Sequence, residues 1–114
     1  MPVIYKILPE TLWAQAEARG VFTGAPIDHA DGYIHFSTAA QARETAARHF
    51  AGQHGLLLVA VDAQTLGAAL KWEVSRGGAL FPHLYAPLRL GDRLWVKPLP
   101  LGPDGAHEFP ELAA

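Results

Sequence analysis

A chain of 114 residues, half of them hydrophobic, is the size of one ordinary domain and can bury a core without covalent staples. It has no cysteine, which excludes a disulfide framework, a thiolate metal site and a cysteine nucleophile, and which fits a reducing cytoplasm. The formal charge is −2 and the nine basic residues are scattered, so the basic stripe that neutralises phosphates in nucleic-acid binders is not expected. The opening Met1-Pro2-Val3-Ile4-Tyr5-Lys6 does not read as a signal peptide, and the longest apolar run, Leu56 to Val61, is far short of a membrane span.

Val3 to Leu8 reads as a first strand, with Val3, Tyr5 and Ile7 on one face and Ile4, Lys6 and Leu8 on the other. Pro9 suits the first turn of a helix that buries Leu12, Trp13 and Ala16 and runs to about Arg19, with Gly20 as its stop. Val21 to Asp31 is expected to be loop. Gly32 to Phe36 reads as a short strand that sets Tyr33 and His35 on one face, Ile34 and Phe36 on the other. Ser37-Thr38 opens a second helix, and Thr38 and Gln41 have capping-box spacing. Its apolar face is Ala39, Ala42, Ala46 and Phe50. Leu56 to Val61 is a continuous apolar strand, central and covered on both sides. Asp62 caps a short helix or turn that reaches Leu70, and Lys71 to Val74 forms a strand. Ser75-Arg76-Gly77-Gly78 is a flexible loop. Pro82 makes Leu80 to Tyr85 an edge strand or an irregular segment. Pro87 to Arg93 is a connection, and Leu94 to Leu99 is the last strand. The expected architecture is α+β, two main helices on a small bent mixed sheet, with residues 1–101 as a single domain and 102–114 as a mobile tail.

Three segments carry groups suited to chemistry. Asp31 to Thr38 places the His35 imidazole at a strand end and the Ser37 and Thr38 hydroxyls at a helix start, beside free backbone N–H groups that can hold a ligand anion. The plainer reading makes the hydroxyls helix caps and His35 a buried ring bonded to backbone. Trp72-Glu73 places a carboxylate beside a large aromatic, where desolvation raises its pKa and suits acid–base work. The plainer reading pairs Glu73 with Lys71 or Arg76 in solvent. Phe81-Pro82-His83-Leu84-Tyr85 alternates so that Phe81, His83 and Tyr85 share a face able to stack on a ligand ring; otherwise it is a packed edge with an exposed histidine. Asp28, His29, Asp31, His35 and His83 could each ligate a metal, but no recognised spacing such as HExxH joins them, and no metal site is expected.

These motifs, with the opening Ile4-Tyr5-Lys6-Ile7 and the continuation Ala86-Pro87-Leu88, occur in one order from about residue 3 to residue 101. In that respect the chain resembles the bacterial family called domain of unknown function 952. The resemblance implies a fold like that of the ADP-ribosyltransferases, which bind NAD in the cleft of a split, bent sheet. His35 would contact a ribose or the nicotinamide amide, with Ser37 or Thr38 nearby. Glu73 would bond the ribose 2′-hydroxyl and stabilise an oxocarbenium-like transition state. Arg76 would assist ligand binding, and Tyr85 or His83 would stack on nicotinamide. Lys71 stands two positions before Glu73, where arginine-modifying toxins carry Glu or Gln, so toxin-type protein modification is not implied.

The expected function is therefore binding of a nucleotide or NAD-related metabolite, centred on His35 and Glu73. NAD or a related nucleotide would enter as substrate of transferase or glycohydrolase chemistry, not as a resident cofactor. The rivals are a non-catalytic small-molecule sensor on the same fold and a protein-interaction module that uses the edge from Phe81 to Tyr85.

Overall fold

The computed structural model describes residues 2–114, apart from the side chain of Arg76. Strand β1 (Val3–Pro9) feeds helix α1 (Glu10–Arg19) through Pro9, whose extended backbone is the cap. Gly20 ends the helix at φ 80°, and its N–H donates to the Ala16 carbonyl. The segment expected as loop forms strand β2 (Val21–Phe22) and helix α2 (Pro26–Asp31). A six-residue helix is too short to show periodicity. What ends its first turn is the Asp28 carboxylate, which accepts from the backbone N–H of Ala25 at 2.8 Å.

Next come two-residue strands β3 (Ile34–His35) and β4 (Ser37–Thr38), then helix α3 (Ala39–His49). Ser37-Thr38 was expected to begin the helix. Instead it pairs with β1, Tyr5 opposite Ser37 and Ile4 opposite Thr38, before Thr38 turns the chain into α3. The remaining strands are β5 (Leu56–Asp62), β6 (Leu70–Val74), β7 (Leu80–Leu84), β8 (Leu88–Arg89) and β9 (Arg93–Pro98). The Asp62 carboxylate caps the 3₁₀ turn after β5 by accepting from Gln64 N–H at 3.0 Å.

These strands form a four-stranded sheet in the order β4-β1-β5-β9, a three-stranded sheet β3-β7-β6 and a two-stranded ribbon β2-β8. Every pairing between the named strands is antiparallel, so the mixed sheet that was expected is not present among the described residues. Strands β4 and β5, joined through α3, do run the same way. Strand β1 lies between them and takes both sets of hydrogen bonds.

β5 is covered on both faces, as its unbroken apolar run predicts. On one face Ile4, Leu8, Val59 and Val61 pack with Trp13 and Ala16 of α1 and with Ile34, Phe36 and Leu84 of the smaller sheet. On the other, Tyr5, Ile7, Leu56, Leu58 and Ala60 pack with Ala46 of α3.

That second core corrects the expected mobile tail. Phe109 and Leu112 lie against it, the Tyr5 hydroxyl donates to the Ala113 carbonyl at 2.6 Å, and the Val3 N–H reaches the Ala114 carbonyl at 3.3 Å. The expectation rested on position at the chain terminus, and two apolar side chains now hold that segment against the core.

β7 is a central strand, not an edge, despite Pro82. In an antiparallel strand, one residue's N–H and C=O point to the same neighbour. The Pro82 carbonyl accepts from the Phe36 N–H at 3.0 Å, so its missing donor faces the end of β3. Pairing of β3 stops at His35 opposite His83, and no ladder bond to β6 is lost.

Candidate functional site

Lys6 is the anomaly from which the site can be built. It stands in the middle of β1, a buried strand, and its side chain is only 7% exposed. A buried ammonium needs an anionic partner, because the interior solvates it poorly. Asp28 of α2 is that partner, with Lys6 Nζ 2.9 Å from Oδ2 and 3.0 Å from Oδ1. The same carboxylate accepts from the backbone N–H groups of Ala25 and His35, and His35 Nδ1 lies 2.6 Å from Oδ1. Burial alone would raise the Asp28 carboxyl. The His35 hydrogen bond, the Lys6 charge and the Ala25 amide overcome it and hold the group at about 2. Burial pulls Lys6 below the ordinary lysine range, against the opposing attraction of Asp28.

His35 is thus fixed at one end by Asp28. At the other, Nε2 lies 2.9 Å from Asp31 Oδ2, at the C-terminal end of α2. Both ring nitrogens of His35 therefore face carboxylate oxygens.

Across the β3–β7 ladder His83 stands directly opposite His35, with ring centroids 5.5 Å apart. Tyr33 stacks on His83 at 4.1 Å and touches the rings of His35 at 4.6 Å and Tyr85 at 5.2 Å. Glu73 of β6 lies 2.8 Å from His83 Nδ1 and accepts from the Tyr85 hydroxyl at 2.7 Å through the same oxygen. The rise expected for Glu73 from desolvation beside Trp72 is not found. Alternation along β6 puts Trp72 on the opposite face. The bonds from Tyr85 and His83 instead hold the Glu73 carboxyl below its ordinary range. Reciprocally, Glu73 pushes the Tyr85 phenol up to about 12.

Beside these rings opens a cavity of about 710 Å³, within the size range of small-molecule pockets. Lys6, His35, Asp31, Ser37, Thr45, His49, Ser75 and His83 supply its polar lining; Phe36, Phe50 and Phe81 are among its apolar walls. It lies where β1 and α3 of the larger sheet layer face β3 and β7 of the smaller. No residue of the 102–114 segment is among the lining residues.

A family model described as protein of unknown function (DUF952) matches residues 7–96. The chain belongs to the DUF952 family. Among solved structures it is similar to protein CC0527 from Caulobacter crescentus. The crystal structure is 51% identical with a TM-score of 0.90, and the match covers 93% of each chain. The solution NMR structure of the same protein is 52% identical with a TM-score of 0.84, covering 93% of this chain and 91% of that one. A search of curated proteins returns no match.

Within this DUF952 chain, His35, Ser37 and His83 line the cavity. Glu73 and Tyr85 do not line it, but are tied to it through His83. Ser37 is buried, and its hydroxyl bonds the Thr45 hydroxyl at 2.8 Å. Thr38 serves the helix: its N–H donates to Gln41 Oε1 at 3.0 Å, so that amide is not free for a ligand anion. The Arg76 side chain lies outside the described residues. No cluster of metal-ligating groups occurs among the described residues, and no helix there is long and apolar enough to cross a membrane.

Lys6, Asp28, Asp31 and Tyr33 complete the network; from sequence Asp28 and Asp31 were named only as metal-capable groups, and Lys6 and Tyr33 were given no site role. Lys6 carried a usable signal, a cation in the middle of a strand otherwise built to be buried. Asp28 carried none, because its partners come from three separate segments.

Proposed function

We propose that the cavity binds a nucleotide or NAD-related metabolite and that the chain carries an ADP-ribosyltransferase-like fold, with cleavage or transfer at the N-ribosyl bond as its chemistry. The observation that carries this reading is the convergence of His35, His83 and three phenylalanine walls on one cavity large enough for such a ligand. Aromatic walls suit a planar ring, and a few convergent polar groups suit a ribose or its phosphates. With the Nδ1 edge of His83 held by Glu73 and one face covered by Tyr33, a ligand ring meets Phe36, Phe50 or Phe81 rather than Tyr85.

Thermal unfolding with and without NAD, ADP-ribose and nicotinamide tests the reading. A ligand that binds only the folded state stabilises it by about 2.7 kcal/mol at a hundredfold excess over Kd. Stabilisation by NAD or ADP-ribose that is lost in H35A, with the fold intact by circular dichroism, is the expected result. No shift with any of the three removes the reading.

A non-catalytic sensor on the same fold is the second reading. The observation favouring it is that Glu73 Oε1 already accepts two hydrogen bonds from within the protein. For the interaction-module reading, Phe81 to Leu84 lie buried in a central strand, and of the segment from Phe81 to Tyr85 only Tyr85 is exposed.

A further inference from the structure

We infer that His83 is the base of this cavity, with Glu73 as its positioning residue and His35 excluded from that role. The inference rests on the ligand reading above. A base needs a lone pair on an atom that the ligand can reach. His35 has none to offer, since Asp28 engages one ring nitrogen and Asp31 the other. Glu73 is not among the cavity-lining residues, and its Oε1 already accepts two hydrogen bonds.

His83 differs from both. It lines the cavity and is 3% exposed. An ionised Glu73 accepts only, so His83 Nδ1 must donate to it. In the neutral ring this places the proton on Nδ1 and the lone pair on Nε2. Among the described residues Nε2 has no hydrogen-bond partner, although buried polar atoms ordinarily find one. Tyr33 stacks on the ring face, and Tyr85, donating to the same Glu73 oxygen, holds the carboxylate in place. What remains is a buried, cavity-lining imidazole with one nitrogen free of partners among the described residues.

With an N-ribosyl pyridinium such as NAD in the cavity, the step balances without a further reactant. Nε2 takes a proton from water. The water oxygen forms a bond to the anomeric carbon as the carbon–nitrogen bond breaks, and the electron pair leaves on the pyridine nitrogen, which becomes neutral. The proton then passes from Nε2 to solvent.

The test combines long-range 1H–15N spectra of the histidine rings with release of nicotinamide from NAD. In the wild type, His83 is expected as the Nδ1–H tautomer with Nε2 bare. E73Q should give mixed tautomers, and E73D should restore part of the wild-type signature. H83Q should lower nicotinamide release by at least a hundredfold, in keeping with the ~10²–10⁴ of a positioned base, while NAD still raises the unfolding temperature. E73Q should lower release by about tenfold on the same scale of effects. An Nε2–H tautomer in the wild type overturns the inference, as does release that survives H83Q. NAD that stabilises the protein yet is never cleaved removes the base role and leaves the binding reading standing. NAD that does not bind removes both.

Discussion

Two carboxylate–histidine pairs face each other across the β3–β7 ladder, and they are built in opposite ways. In the Asp28–His35 pair the carboxylate is buried, at 1% exposure, and the imidazole is half open. In the Glu73–His83 pair the imidazole is buried and the carboxylate is 38% exposed. Asp28 gathers α2, β1 and the end of β3 around one charge. Glu73 touches two residues of its own small sheet and leaves one nitrogen of its histidine open. The difference teaches that a carboxylate–imidazole pair can bury either member: a buried acid ties separate segments together, while a buried imidazole beside an exposed acid is the arrangement proposed above for ligand contact.

The sharpest way to break this contrast is to neutralise each acid in turn. D28N leaves Lys6 buried without its counter-charge, and loss of one partner from a buried pair costs about 3–5 kcal/mol. Urea unfolding should show a loss of that size, whereas E73Q, at a more exposed carboxylate, should lower the urea midpoint much less. Equal losses would dissolve the distinction.

Acid should sharpen it next. The folded-state pKa of Asp28 is depressed from 3.8 to about 2. A depressed carboxyl contributes stability that is fully present above its unfolded value and lost as pH falls through the folded one. A shift of this size corresponds to about 2 kcal/mol, which should disappear between about pH 4 and pH 2. The wild type should show that loss in a pH series of unfolding curves, and D28N should lack it.

A smaller loss is expected from deleting residues 102–114. Phe109 and Leu112 are only partly buried, so their removal should cost about 2 kcal/mol, read as a lower urea midpoint. Nicotinamide release, if the chain performs it, should be unaffected at temperatures where the shortened chain is folded, since no residue of that segment lines the cavity.

The smallest effect is spectroscopic. Tyr85 is raised to about 12 chiefly by its bond to Glu73. Its ionisation, followed by ultraviolet absorbance against Y85F, should move back towards the ordinary phenol range in E73Q.

How much of this was readable beforehand follows from how local each signal is. β1, α1 and β5 declare themselves, because alternation, a glycine stop and an unbroken apolar run are properties of contiguous residues. β2, β3, β4 and β8 have two residues each, and no periodicity exists at that length. Ser37 and Thr38 look like a helix start, and their pairing with Tyr5 and Ile4 depends on chain more than 30 residues away. His35, Glu73 and His83 could be picked out by chemical type. Their relations could not, since the register that sets His35 against His83, and His83 beside Glu73, belongs to three strands together. Asp28 hid for the same reason.

Pro82 makes that register something the chain can check as it folds. Aligned as found, the proline meets Phe36 at the last rung, where one bond of two suffices. If β3 docked two residues further along, a rung within its length would call on Pro82 for a donor it lacks. The misaligned strand pair would be the weaker one and would come apart first. A residue that touches no ligand thereby acts as an editor of assembly, discarding the alignments in which the two histidines miss each other.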